Sequence, residues 1–321
     1  TKTHLDAGHR KESRIGTVQV PDERVGILSQ MYQPRKTIYA QVEYLLPSPA
    51  EHVKESAKEQ SVWTQVRECD ALIHVVRNFK GYGAEQPTPL ADLKTIDDEL
   101  IFSDLVVAEK RLERLELDQK RGKKPDPEEH DLIRQCHEKL NADNPLRNFP
   151  ELAAARALRG YAFLSAKPVL VVANNQDEDD QQPTWLPADN GLMVRGKLEQ
   201  ELAQMEPGEA AAFLEDFGIA TSAMDLVIAR SYELLGSISF FTVGEDEVRA
   251  WTIRRATPAQ EAAGVIHSDI QKGFIRAEVL GYDDLMAAGN YAAARKAGTV
   301  RLEGKTYEVQ NGDIINFRFN V

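Results

Sequence analysis

Cysteine is scarce. Cys69 and Cys136 are the only two in 321 residues. They are too few and too far apart for a disulfide framework or a zinc ligand set, and a reducing compartment is expected. Long hydrophobic runs are also missing. No stretch approaches the roughly 18 consecutive apolar residues of a membrane span, and no basic-then-apolar signal segment opens the chain. Neither insertion nor export is expected, and the cytoplasm is the expected location. Positive charge is in deficit: 39 Lys and Arg stand against 51 Asp and Glu, a net −12. That excludes a whole-surface grip on nucleic acid or anionic membrane, so any polyanion site must be local, and no DNA partner is expected. Ser/His/Asp, zinc and dinucleotide constellations are absent, which puts a metabolic enzyme last among the function classes. What is present is ordinary: 42% hydrophobic and 28% charged residues, enough to build two or three domains at roughly 100–200 residues each.

The opening residues 1–16 are polar and helix-like and start at Thr1, which reads as the interior of a longer chain. Apolar alternation from Ile15 to Val20, the turn-forming Pro21-Asp22-Glu23-Arg24, and Val25, Leu28 and Met31 predict strand, turn and helix. A strand is expected over Thr37–Leu46, then a polar helix from Ala50 to Glu68. Ala71–Val76 and Lys167–Ala173 are continuous apolar runs, as strands buried on both faces require, so the fold class is α/β with a parallel sheet. Between them Ile101, Leu105, Ala108, Leu112 and Leu115 form an a/d seam. Asp126, Pro127 and Glu129 open a second helix bearing Ile133, Cys136 and Leu140. This predicts a helical hairpin, either packed on the surface or projecting as a recognition arm. A helix over Glu151–Leu164 and a strand-like Gly191–Lys197 follow.

From about Ile238 the pattern changes to short β-like pieces at Ile238–Val243, Trp251–Ile253, Phe274–Val279, Thr306–Val309 and Ile314–Phe319, around one short helix. Residues 237–321 carry 10 basic and 11 acidic residues, so this is the one portion that is not strongly acidic.

Several phrases carry a family resemblance: VPDERV (20–25), DALIHVVRNF (70–79), KPVLVVAN (167–174), FLEDFGI (213–219), and from Leu234 onward ELLGSISFFTVGEDEVRAWTIRRAT, EAAGVIHSDIQKGFIRAEV and VQNGDIINFRFNV. Together they resemble the YchF / Obg-like ATPase family of translation-associated P-loop nucleotidases. The resemblance implies a P-loop G domain at 1–96 and 141–236, an inserted α-helical hairpin at 97–140, and a TGS-like β-grasp domain at 237–321. It implies GTP or ATP with Mg2+ as ligand, a ribosome or RNA partner, no membrane, and a nucleotide-dependent switch. The alternative is a non-hydrolysing adaptor that binds RNA or protein through hairpin and TGS domain.

The departures bear on chemistry. No G-x-x-x-x-G-K-[ST] phosphate cradle occurs in the sequence, and a truncated N-terminus is the expected cause. The family's magnesium-associated Thr is missing from His9–Arg14. Its D-x-A-G-L is matched by Leu46, Pro47, Ser48 and Pro49, and its phosphate-side His by Gln65. These changes imply weakened hydrolysis, and no catalytic residue is assigned. Polar groups at the carboxyl end of a parallel strand are where open α/β sheets bind ligands. Asn174-Asn175-Gln176-Asp177 keeps the Asn and the GTPase-like Asp of a base-reading loop but lacks its Lys. Asn174, Asn175 and Asp177 are therefore the candidate base contacts, with Val194, Arg195 and Gly196 at the family's second base-side loop. For RNA or partner contact the candidates are Arg249, Arg254, Arg255, Lys272 and Arg276, in segments expected to share one sheet. Trp251 and Phe274 are read as core aromatics, His74 as a core histidine, and His267 as ambiguous.

Overall fold

The computed structural model describes residues 13–47, 62–81, 86–124, 126–216 and 221–320. In chain order its first half carries β1 (Arg14–Gln19), α1 (Glu23–Tyr32), β2 (Lys36–Ile38), β3 (Gln41–Leu46), β4 (Leu72–Arg77), α2 (Pro89–Lys120) and α3 (Pro127–Asn141). Then come β5 (Val169–Asn174), β6 (Gly191–Val194), α4 (Gly196–Leu202), α5 (Pro207–Asp216), α6 (Ala223–Leu234), β7 (Ser237–Val243) and β8 (Glu247–Arg254). The chain ends with α7 (Ala259–Ile266), α8 (Ser268–Lys272), β9 (Phe274–Gly281), α9 (Tyr282–Ala288), α10 (Tyr291–Ala297), β10 (Arg301–Glu303) and β11 (Asp313–Phe319). These form two compact units: Thr1–Gly16 with Leu45–Met224, and Thr17–Tyr44 with Asp225–Val321. This division differs from the expected bounds, because Thr17–Tyr44 groups with the C-terminal strands instead of with the parallel sheet.

The first unit is built on the parallel sheet β4-β5-β6. The two apolar runs are neighbours in it, paired from Leu72 with Val169 to Arg77 with Asn174. Leu170, Val171, Val172 and Ala173 are all buried, which is why this strand shows no polar alternation. The hairpin is present and longer than expected. Its first helix begins at Pro89 behind the cap Thr88 and runs 32 residues, a rod of about 48 Å. Its second is capped by Asp126, whose carboxylate accepts from Glu128 N at 3.0 Å. Ile101 and Ala108 meet Ile133, Cys136 and Leu140 in one buried cluster, and Leu115 further along is buried too. The root of the hairpin is fastened: the fully buried Asp104 accepts from Leu164 N (2.9 Å) and Ser165 N (2.6 Å) and faces Arg67 at 3.3 Å. The expected helix over 151–164 is instead one turn at Pro150–Ala153 and a 3-10 stretch at Arg156–Tyr161, closed by Ala162 with φ 47. Leu152, Leu158 and Phe163 break helical spacing there to pack on the hairpin core. Of the expected helix 50–68, residues 50–61 lie outside the described ones.

The second unit holds a six-stranded sheet ordered β10-β9-β11-β7-β8-β2. A hairpin β7–β8, a helix, and a last strand β11 inserted parallel to β7 and antiparallel to β9 make this the β-grasp order. Ala259, Ala262 and Ala263 of α7 are fully buried against Phe240, Ile253, Ala277 and Val279. Small residues let that helix approach the sheet closely. Two expectations fail here. Thr306–Val309 is no strand, holding only an isolated bridge from Glu308 to Pro258, and four helices replace the single one. The other correction concerns Thr37–Leu46, which is two strands: β2 adds in parallel to β8, whereas β3 pairs with β1. Ala40 breaks the run by turning its carbonyl to Val20 N at 2.8 Å. No helix among the described residues is long and apolar enough to cross a membrane.

Candidate functional site

The carboxyl ends of β4, β5 and β6 carry the candidate base-reading residues, and hydrogen bonds tie them together. Asn174 ends β5 and its Oδ1 accepts from Gly196 N at 2.9 Å. A Cβ at Gly196 would sit 2.9 Å from that oxygen, so the second loop needs glycine for this approach. Asn175 N donates to Val194 O at 2.8 Å. The buried Asn175 side chain accepts from Asn78 Nδ2 at 2.9 Å and donates to Gln181 O at 2.9 Å. Asp177 spends both oxygens locally: Oδ1 accepts from Leu198 N at 3.2 Å and Oδ2 faces Lys197 Nζ at 3.3 Å. That bond holds the Lys197 ammonium above the ordinary lysine range. Arg195 donates to Asp177 O at 3.4 Å. The structure thus brings all six candidates, Asn174, Asn175, Asp177, Val194, Arg195 and Gly196, into one polar platform.

Sequence reasoning missed three members of this platform. Asn78 follows β4 at the same sheet edge, Trp185 donates to Asn78 Oδ1 at 3.3 Å, and Lys197 supplies a cation. The rule that marked the carboxyl end of β5 also applies to β4 and could have found Asn78. Lys197 was adjacent to a chosen residue.

The other positions expected to touch phosphate or metal are less complete. His9–Glu12, Ser48 and Pro49 lie outside the described residues. Leu46 is 63% exposed, and Gln65 has a buried Oε1 without a partner. Neither side chain supplies a metal-binding carboxylate. Among the described residues no group of three or more His, Cys, Asp and Glu could hold a metal ion. The described residues therefore do not fit a protein-held metal.

In the second unit the five expected partner cations do not form one patch. Arg249 stacks over Trp251, 3.8 Å from its ring centroid. It lies opposite Thr242, on the α7 face of the sheet. Arg276 and Arg254 belong to the other face and to opposite ends of it, since Arg276 opposes Arg318 of β11 and Arg254 opposes Ser237 of β7. Arg255 follows the end of β8, and Lys272 ends α8. Common membership of a sheet does not place side chains on a common face, because strand residues alternate. Phe274 is core as expected, and Trp251 is half-buried with its Nε1 donating to Thr242 at 3.0 Å. His74 is half-buried, not core, and that burial lowers its pKa. His267 caps α8, its Nδ1 accepting from Asp269 N at 3.1 Å.

Comparison with known proteins supplies the context. Residues 237–320 match the family model YchF-GTPase_C, described as "Protein of unknown function (DUF933)". The Ribosome-binding ATPase YchF of Bacillus subtilis is 37% identical, over 97% of this chain and 90% of its own length. The chain belongs to the YchF/Obg-like ATPase family. Obg-like ATPase 1 of Oryza sativa subsp. japonica is 34% identical over 95% of this chain and 82% of its own. The solved YchF GTPase of Schizosaccharomyces pombe superposes with a TM-score of 0.82 at 28% identity, covering 95% of this chain and 87% of that one. The expected fold and family therefore stand.

Proposed function

We propose that this chain is a cytoplasmic purine-nucleotide-binding protein that acts as a nucleotide-dependent switch on the ribosome, with slow hydrolysis. The observation that carries the reading is the mutual locking of Asn174 and Asp177 onto Gly196 and Leu198. It makes the two base-side loops one rigid platform, and rigid donors and acceptors lose little freedom when a base docks. GTP is the ligand favoured by the Asp177 carboxylate, since guanine offers two N–H donors to it, and ATP is retained as the family's named substrate. Base binding would require Asp177 to release Lys197, an exposed ion pair that costs little to open. Magnesium would arrive on the nucleotide's phosphates. Residues 237–321, the TGS-like part, would make the ribosome contact.

Leu46 favours a second reading, an adaptor without hydrolysis. A leucine cannot orient the water that phosphoryl transfer needs. Titration of labelled GTP and ATP, with magnesium, into the protein expressed from its natural start tests both readings. The switch predicts saturable binding that Asp177→Ala weakens about tenfold, and ribosome co-sedimentation that changes with nucleotide. Co-sedimentation indifferent to nucleotide, together with no binding, would leave the adaptor.

A further inference from the structure

A groove opens in the second unit where β7 stops at Val243 while β11 runs on to Phe319. Its volume is about 510 Å³, and Tyr32, Trp251, Tyr291, Asn316 and Phe319 are among its walls. The hydroxyls of Tyr32 and Tyr291 are buried without a hydrogen-bond partner. A buried O–H left unpaired is costly, and an incoming acceptor removes that cost. Burial raises the pKa of both phenols, so both remain donors at neutral pH.

Asn316 shares its sheet face with Arg318, two residues on, and Arg318 stands directly opposite Arg276. Like charges in opposed positions repel. The buried carboxylate of Glu278 engages Arg318 at 2.9 Å and also pairs with Arg295, while Arg276 is exposed. Two guanidiniums on one carboxylate, with Arg276 opposite one of them, leave a local surplus of positive charge on a chain whose net charge is −12. Arginine forks fixed in this way suit phosphate oxygens.

We propose that the groove and its arginine rim bind an unpaired nucleotide of single-stranded RNA, with the base against Tyr32 and Tyr291, on the sheet face that carries Asn316, and the phosphate on Arg276 and Arg318. This rests on the ribosome as partner and adds the residues and the strandedness. The groove is large enough for one base and too small for a duplex. Bases in a duplex are already stacked on one another and have no face to offer Tyr32 or Tyr291.

The test is fluorescence anisotropy of the full chain with a fluorescein-labelled oligouridylate of about ten nucleotides, long enough to fill one such site. Arg276→Ala and Arg318→Ala are each expected to weaken binding about tenfold and to reduce the salt slope by about 0.7. Tyr291→Phe removes only a hydroxyl and is expected to weaken binding about fivefold at unchanged melting temperature. Arg276 is exposed, so its substitution leaves the fold intact and keeps the test decisive. Affinities of the variants within twofold of the wild type, equal binding of an RNA duplex, or competition by uridine monophosphate as strong as by the oligomer would each overturn the proposal. Ribosome pelleting of the wild type is run alongside. If the wild type pellets while Arg276→Ala and Arg318→Ala bind the oligomer normally, this site is wrong and the ribosome reading survives. If the wild type does not pellet, the ribosome reading itself is lost.

Discussion

The two sheets treat their polar side chains in opposite ways. At the ends of β4, β5 and β6 the polar groups are satisfied by one another: Asn175 serves Asn78 and Gln181, and Asp177 serves Leu198 and Lys197. Around β9 and β11 capacity is left over, in the unpaired phenols of Tyr32 and Tyr291 and in two arginines sharing Glu278 beside the exposed Arg276. Internal satisfaction gives a stiff platform whose ligand must replace existing bonds. Surplus capacity gives a surface whose ligand adds bonds, and electrostatics then dominates the affinity.

The largest expected effect comes from Asp104, where a carboxylate with no exposed surface holds the hairpin root. Asp104→Ala leaves two buried N–H groups without their acceptor and Arg67 with only Ala162 O and Ser103 Oγ, and should cost about 3–5 kcal/mol. Chemical denaturation reads this directly, and a loss below about 1 kcal/mol would mean the root is held by apolar packing alone. Asn175→Ala should cost about 2 kcal/mol by orphaning Asn78 and two carbonyls. If its melting temperature instead matches the wild type, the platform is not internally satisfied and the contrast between the sheets disappears.

Glu278→Gln sharpens the contrast from the other side, with an expected cost of about 1 kcal/mol near neutral pH, since its arginine partners are half-exposed. Its two guanidinium partners, Arg318 first, hold the Glu278 carboxyl below the usual carboxylate range. A lowered folded pKa contributes stability above the unfolded value, lost as pH falls through the folded one. The difference in melting temperature between wild type and Glu278→Gln should therefore shrink as pH falls below about 4.5. A difference that stays constant as pH falls well below that range would show that the charge of Glu278 does not hold the arginines.

Local pattern carried the parallel sheet and hairpin because their signals are local: Leu72–Val76 is apolar but for His74, Val169–Ala173 is apolar throughout, and the seam from Ile101 to Leu115 repeats at helical spacing. The split of Thr37–Leu46 was not legible, since both halves have the same β-forming composition and only tertiary pairing sends Lys36–Ile38 to β8. The helices Tyr282–Ala288 and Tyr291–Ala297 did carry marks, the cap Asn290 and the left-handed Gly289 and Gly298, but each is too short for periodicity to rise above noise. Asn174 and Asp177 could be named from the end of a strand. The arginine cluster could not, because Arg295 and Arg318 reach Glu278 only through the strand order of the finished sheet.

The parallel addition of β2 to β8 has a kinetic side. The early segment Thr17–Tyr44 finishes a sheet whose other strands begin only at Ser237. At about 5–20 residues per second of synthesis, Val25 and Leu28 wait roughly 10–40 seconds for the core that shields them. During that interval the nascent chain shows an amphipathic helix and a bare strand edge to whatever surrounds the tunnel exit, so the last piece to dock is among the first to be made.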